Sequence, residues 1–396
     1  MLTPPAHIAL VPWDDGFTPS GCNNKPGKIV RDQVRSTPRA FQVVDHAVER
    51  ETAQSLYESA VRARVWGVYV PTRELRFTSD AGLPAPMEQQ KAEDAGEEQY
   101  RKSIAKRAVQ ELLVDKAASM ISREDWERTH GVAVWVIASD CDDETEYHLD
   151  YAEMVRYETN VIVPPIYGAT LHVSPLQCTE VPRDLGEQQQ QNENEDEDQL
   201  DLVEGGGFHV NLDGLEHYKQ YGYKTRLRSK LTTDALEAIS LTEPGWQHVP
   251  YLYRRGIICD GEFPHFSGRV RALPKRLNAT TATSAMLSQL PVKRVVVGFN
   301  LFPHEIGAFV QKFPEHSAAF NKYIKLSQAA VKKTTACADD SGTKWSLASL
   351  RANPKQAAFV KLLARKLKEK NVDLASLRQQ QREDAAAAKE KAMTSV

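Results

Sequence analysis

The stretch EYHLDYAEMVRYETNVIVP, residues 146–164, decides how this chain is read. His148 and Asp150 stand two positions apart inside it, among aromatic and β-branched neighbours. On a strand, side chains at i and i+2 point to the same face, so an imidazole and a carboxylate would be offered to one point. The chain has eleven histidines, and only His148 begins a His-x-Asp. Taken alone, the pair also fits an ordinary polar residue near a strand end, so its surroundings have to decide.

Those surroundings are β-prone on both sides. VAVWVIA (132–138) precedes EYHLDYA (146–152); YETNVIVPP (157–165), ATLHVSP (169–175), GGGFHVNL (205–212), HVPYLYRRGIICDG (248–261), FPHFSGRVRAL (263–273) and KRVVVGFNLF (293–302) follow. Eight extended segments separated by turn signals favour a barrel or sandwich over an α/β sheet. Ahead of them, FQVVDHAVERETAQSLYESAVRAR (41–64) passes from a short β-branched run into a helix with Ala53, Leu56, Tyr57 and Ala60 at helical spacing. VWGVYVP (65–71) reads as a strand and 75–95 as a loop. Residues 97–121 form a second amphipathic helix with Ile104, Ala108, Leu112 and Ala117 or Ala118 along one face. EQQQQNENEDEDQLD (187–201) has nothing to bury and is expected to be a disordered acidic insertion, and 276–290 is a second insertion. Residues 304–333 and 354–392 read as helical.

Chemistry needs a third ligand. Two imidazoles and one carboxylate make the facial triad of non-haem Fe(II) oxygenases, which leaves neighbouring positions open. His265, in GIICDGEFPHFSGRV, sits between a β-run and a Gly-containing turn, and His209, in GGGFHVN, is its one serious competitor. His172, His217 and His248 are more ordinary as structural or surface histidines, and Cys259 as a small apolar core residue. Gly205, Gly206 and Gly207 form a turn before a strand and not a phosphate loop, since no Lys-Ser/Thr follows and no helix opens there.

In this order the residues resemble the 2-oxoglutarate- and Fe(II)-dependent dioxygenase superfamily, in particular its prolyl-hydroxylase-like branch, over roughly residues 40–303. The resemblance implies an α+β, mainly β core: a double-stranded β-helix (jelly-roll or cupin-like) flanked by N-terminal and C-terminal helices. It implies His148, Asp150 and His265 as ligands of Fe(II), with 2-oxoglutarate as co-substrate and O2 as oxidant. It implies a basic residue opening the last core strand to receive the co-substrate; Arg294 takes that place, with Arg276 as fallback. In the family the arginine usually follows the distal histidine by about ten residues, a spacing nearer to Arg276, but an unbroken strand follows Arg294 and none follows Arg276. Tyr157 and Thr159 are candidates for the residue that assists the co-substrate. The expected activity is hydroxylation of a protein side chain or small molecule, with release of succinate and CO2.

The expected organisation is an irregular N-terminal arm (1–38), a dioxygenase-like domain (39–303) with a helical lead-in (39–130) and β-helix core (131–303), and a C-terminal helical extension with a basic tail (304–396). At 396 residues, with 41% hydrophobic and 26% charged residues and a net charge of −3, the whole chain gives no reason to expect nucleic acid or membrane binding. From 325 to 396 there are roughly twice as many Lys/Arg as Asp/Glu, interleaved and with few aromatics, which fits a solvated or dimerising helix better than a nucleic-acid patch. Five scattered cysteines without C-x-x-C spacing, no secretory leader and no apolar run of ~20 residues suggest an intracellular protein, cytoplasmic or nuclear. Two other readings stay open: a catalytically silent β-helix scaffold, and a nucleic-acid-associated oxygenase using the basic tail.

Overall fold

The structure, a computed structural model, describes residues 8–14, 26–32, 40–77, 96–179, 200–222, 231–277 and 291–324. The chain divides into two compact units, Met1–Tyr323 and Ile324–Val396, and every element named below belongs to the first. The acidic run 187–199, the second insertion from 278 and the basic tail lie outside the described residues.

Among the described residues the strands are β1 (Ile8–Pro12), β2 (Lys28–Asp32), β3 (Phe41–Val44), β4 (Val65–Pro71), β5 (Thr129–Ser139), β6 (Val161–Ile162), β7 (Tyr167–His172), β8 (Leu176–Cys178), β9 (Asp201–Gly205), β10 (Phe208–Asn211), β11 (Trp246–Val249), β12 (Gly256–Asp260), β13 (His265–Ser267), β14 (Val270–Ala272) and β15 (Arg294–Pro303). The main sheet is antiparallel throughout, in the order β3-β12-β7-β15-β5-β4. A smaller sheet runs β11-β10-β13 and gains His148 at its open edge through paired backbone bonds with His265 (3.0 and 2.9 Å). The molecule is thus α+β and mainly β.

Side-chain parity gives each sheet two different faces. On β15, Val295, Val297, Phe299 and Leu301 lie in one buried cluster with their register partners Ala138, Val136, Val134 and Val132 of β5. That cluster takes in the apolar stripes of two helices, α1 (Arg50–Ala63) through Ala53, Leu56, Tyr57 and Ala60, and α2 (Glu97–Val109) through Ile104 and Ala108. The expected stripe therefore faces the sheet, and Ala117, not Ala118, continues it. Each large apolar side chain buried there contributes about 1.5–3 kcal/mol. The opposite face of β15 carries Arg294, Val296, Gly298 and Asn300. The smaller sheet covers this side of the main sheet, with Phe208, Val210 and Val249 packed on Ile257 and Cys259 of β12.

Several segments differ from the sequence reading. The N-terminal arm is not irregular where it is described: β1 pairs antiparallel with β2, β2 runs parallel to β6, and Trp13 and Ile29 are buried with Leu149, Tyr218 and Phe266. The burial of Trp13 and Ile29 outweighs the turn-forming composition around them. YETNVIVPP is not one strand, since Glu153–Thr159 is a helix (α4, after the short α3, Arg123–Arg128), closed by Asn160 in the left-handed region before β6 begins. HVPYLYRRGIICDG splits at a turn around Arg254 (φ 60°), so that β11 belongs to the small sheet and β12 to the large one. Among the described residues two helices stand between β10 and β11, α5 (Leu215–Tyr221) and α6 (Thr233–Thr242). The helix α7 (His304–Lys312) sends Val310 into a cluster with Tyr69 and Phe302, so the compact unit continues past the expected boundary at 303 to Tyr323.

Candidate metal centre

His148 and Asp150 reach one point for the reason the strand argument gives. Their neighbours Tyr147 and Leu149 are buried in the aromatic cluster on the outer side of the small sheet, which turns His148 and Asp150 inward. His265 opens β13 directly across from His148. His148 Nε2 lies 3.4 Å from Asp150 Oδ1, and His265 Nε2 lies 3.7 Å from Asp150 Oδ2. One ligand atom from each of the three lies within 4.8 Å of the others, the one such group among the described residues. The imidazole of His148 is 37% exposed against 11% for His265, so the cluster opens to solvent on the His148 side.

Each imidazole is oriented from behind. His148 Nδ1 lies 2.5 Å from the carbonyl of Glu146 and His265 Nδ1 3.1 Å from that of Phe263. A carbonyl only accepts, so both Nδ1 atoms carry a proton and both Nε2 atoms turn toward Asp150, an arrangement suited to metal ligation. Burial raises the Asp150 pKa, but the neighbouring His265 and His148 outweigh it and hold the carboxyl below its ordinary value. His265 is pushed down by burial, while Asp150 lifts His148 above its ordinary value against burial. An ionised carboxylate with neutral imidazoles is the donor set that a divalent cation needs.

Two groups from the main sheet complete this floor. Asn300 is 1% exposed, and with its amide nitrogen turned toward its acceptors it donates to Asp150 Oδ2 and to the carbonyl of Phe299, both at 3.1 Å. Its register partner is Gly168, where a Cβ would stand 3.7 Å from Asp150 Oδ2.

Arg294 lies on the same inner face, at the far end of β15 from Asn300. It is 2% exposed, and its Nε and Nη2 meet no hydrogen-bond partner among the described residues. Its guanidinium carbon stands 5.6 Å from the ring centre of Tyr251. Tyr251 is pinned by its hydroxyl, which donates to the carbonyl of Val295 (2.8 Å) and accepts from the Ser174 N–H (2.9 Å). His172 stacks on Tyr251 at 4.2 Å and 13°. Its Nδ1 accepts from the Leu252 N–H at 3.3 Å, and burial, then Arg294 and Arg255, pushes its pKa well down. His172 is therefore neutral with its proton on Nε2, an atom that is buried and unpartnered among the described residues. Three buried nitrogens, all donors, converge on one end of the inner face.

The other candidates fall elsewhere. Arg276 is exposed in a turn after β14. Arg269 pairs with Glu144 and Asp234, and Arg271 with Glu237 at 2.8 Å. His209 points to the outer side of the small sheet, stacked on Phe266 (4.5 Å) with Nδ1 2.7 Å from Ser240 Oγ. Tyr157 and Thr159 are on α4, not on the third core strand, and Thr159 Oγ1 donates to the Val155 carbonyl. Cys259 is a buried thiol with its pKa pushed up by burial. The sequence reading passed over Tyr251, His172, Asn300 and Gly206. Asn300 had a signal, as the only polar side chain in the interior of the apolar run VVVGFNLF.

No family model matches the chain, and no curated protein matches it. Solved structures do show likeness. They include a Pseudomonas putida prolyl-4-hydroxylase (8% identity, 67% of this chain and 86% of that one, TM-score 0.30). HygX from Streptomyces hygroscopicus with iron bound is similar at 11% identity, over 67% of this chain and 83% of that one, TM-score 0.33. A prolyl hydroxylase from Trichoplax adhaerens, in complex with a hypoxia inducible factor oxygen degradation domain peptide fragment, is similar at 8% identity over 68% and 86%, TM-score 0.29. Likeness at this level assigns no activity, and the reading below rests on the side chains already described.

Proposed function

We propose that this chain is an Fe(II)- and 2-oxoglutarate-dependent dioxygenase with a double-stranded β-helix core, hydroxylating a protein side chain or a small molecule. The observation that carries the reading is the pairing, on one inner face, of the His148–Asp150–His265 cluster with a buried Arg294 whose Nε and Nη2 have no partner among the described residues. Interior cations without a counter-charge cost several kcal/mol, so a buried guanidinium facing open donors implies an anionic ligand. A dicarboxylate that chelates a metal at one end and meets Arg294 at the other satisfies both halves. The sheet order supports the fold, since β5, β15, β7 and β12 form one wall while His148, β13, β10 and β11 form the other.

His148, Asp150 and His265 would hold the iron. With 2-oxoglutarate and O2 the metal supplies the oxidising power, and the co-substrate leaves as succinate and CO2. Arg294 would take the far carboxylate through its planar fork, and the Nε2–H of His172 would add a neutral donor. Tyr251 keeps the guanidinium in place from below. Phe208 and Cys259 line the metal end, beside His265 and Gly168, while the open His148 side admits substrate. Intracellular action, cytoplasmic or nuclear, belongs to the same proposal.

The test is spectroscopic. Purified protein given Fe(II) and 2-oxoglutarate without oxygen should develop the visible charge-transfer band of the chelated co-substrate. Absence of the band, with both components shown not to bind, would leave a silent scaffold as the better reading.

A further inference from the structure

We infer that Asn300 sets how Asp150 presents its carboxylate, acting as a positioning residue that leaves one oxygen for the metal and keeps a third open position for small molecules. This inference rests on the function proposed above.

Asn300 lies on the one strand of the main sheet that carries Arg294 on the same face. Its amide nitrogen stands 3.1 Å from Asp150 Oδ2, and its second acceptor, the Phe299 carbonyl, fixes the amide plane. Gly168 lies opposite, and a Cβ there would stand in ordinary contact with both groups, 3.5 Å from the Asn300 amide and 3.7 Å from Asp150 Oδ2. The other carboxylate oxygen, Oδ1, is the one beside His148 Nε2 at 3.4 Å. A donated N–H lowers the basicity of Oδ2 and holds the carboxylate plane, so Oδ1 becomes the better ligand atom.

The consequence is one of counting. Two imidazoles and one carboxylate oxygen occupy three positions around a six-coordinate cation, leaving three. If the second oxygen were free to swing in, Asp150 would take a fourth position; a chelating co-substrate would still find two, and O2 would find none. Asn300 therefore guards the third open position more than it guards the metal. An ordinary supporting role predicts the reverse, because loss of a group that merely orients a ligand weakens the metal itself by roughly 10–100-fold.

Asn300→Leu keeps the size of the side chain and removes the donor. The full chain is titrated with Co(II) as probe metal, and then, loaded with Fe(II) and 2-oxoglutarate without oxygen, with nitric oxide, which takes the position of O2. The wild-type chain is expected to bind both. In Asn300→Leu the Co(II) dissociation constant should move by less than about threefold, while that for nitric oxide rises about tenfold or more. Asn300→Thr, whose hydroxyl also donates and whose β-branch suits a strand, should recover most of the nitric oxide affinity. Should the leucine variant not fold, Asn300→Ala removes the amide without added bulk and is read the same way. A fall of ten- to a hundredfold in Co(II) affinity with nitric oxide binding unchanged at saturating metal overturns the inference and leaves Asn300 a simple brace. Unchanged binding of both also overturns it. A wild-type chain that does not bind Co(II) removes the proposed function itself, and this inference with it.

Discussion

The ring of Tyr251 lies 4.2 Å from that of His172 and 5.6 Å from the guanidinium carbon of Arg294. One aromatic side chain therefore props two donors that have no acceptor among the described residues. Replacing Tyr251 by phenylalanine keeps the stack but removes the hydroxyl that bonds Val295 and Ser174. Tyr251→Phe is expected to lower stability by about 1–3 kcal/mol, because the buried Ser174 N–H loses its acceptor. Urea unfolding checks this, and an unchanged midpoint would show that the hydroxyl does not hold the ring.

Gly206 presses on the same guanidinium. Its φ is +72°, and a Cβ there would meet Arg294 Nε at 2.9 Å and Cδ at 3.0 Å. Gly206→Ala should cost about 1–3 kcal/mol through backbone strain alone. It should also displace Arg294 and weaken 2-oxoglutarate binding while leaving Co(II) binding intact. Equal loss of both ligands would mean general unfolding, which a melting curve separates.

Two buried imidazoles make stability depend on pH. Burial, then His248 and Arg271, pushes His209 down to about 3, and burial, then Arg294 and Arg255, holds His172 well below its ordinary value. Unfolded histidine titrates near ~6.5. Below that pH the unfolded chain binds protons that the folded chain excludes, so stability rises with pH in this window and is lost as pH falls through it. The slope is at most ~1.4 kcal/mol per pH unit for each group. His148, raised by Asp150, works in the opposite direction. His209→Phe keeps a ring against Phe266 and should flatten the loss of unfolding free energy below pH ~6.5. A slope equal to wild type would place the effect elsewhere.

Much of the centre was legible because it obeys two-residue parity. His148 and Asp150 could be read as sharing a face from the sequence alone, and an apolar run after Arg294 marked it as the start of a strand. The end of the inner face around Arg294 was less legible for a physical reason. His172, Tyr251 and Gly206 come from three separate segments, and their role depends on which atoms are left without partners after folding. No local pattern reports that. The helix α4 was missed because its β-branched and aromatic residues, Val155, Tyr157 and Thr159, carry strand propensity, and tertiary packing of Met154 and Arg156 overrides it. The N-terminal strands carry no periodic signal because few apolar residues anchor them, Trp13 and Ile29 buried and Val11 and Val30 partly so.

Asp150 supplies the one negative charge of the proposed ligand set. Asp150→Ala should abolish tight Fe(II) binding and turnover together, since two neutral imidazoles poorly match a hard divalent cation. Asp150→Asn is the informative partner: it keeps the shape, but its amide would face that of Asn300, so metal binding should fail there too. Wild-type turnover in either variant would mean that His148 and Asp150 are a coincidental pair.

Arg294 and Arg276 separate co-substrate from metal. Iron would be held by His148, Asp150 and His265, none of which needs an arginine, so Arg294→Ala should leave metal binding nearly unchanged. The far carboxylate of 2-oxoglutarate would lose its charge-assisted partner at a buried position. Removing one member of such a pair costs ~2–5 kcal/mol, on the order of thirtyfold to several thousandfold in affinity. Arg276, exposed in its turn, is the matched control, and its alanine variant should bind as wild type does. Stability offers a second reading with the opposite sign. An unpaired buried cation opposes folding, so Arg294→Met should raise the melting temperature of the protein measured without co-substrate, even as it loses the ability to bind it. A variant that melts earlier would mean that the guanidinium has a partner in the free protein, and the case for an anionic ligand at that end would fall.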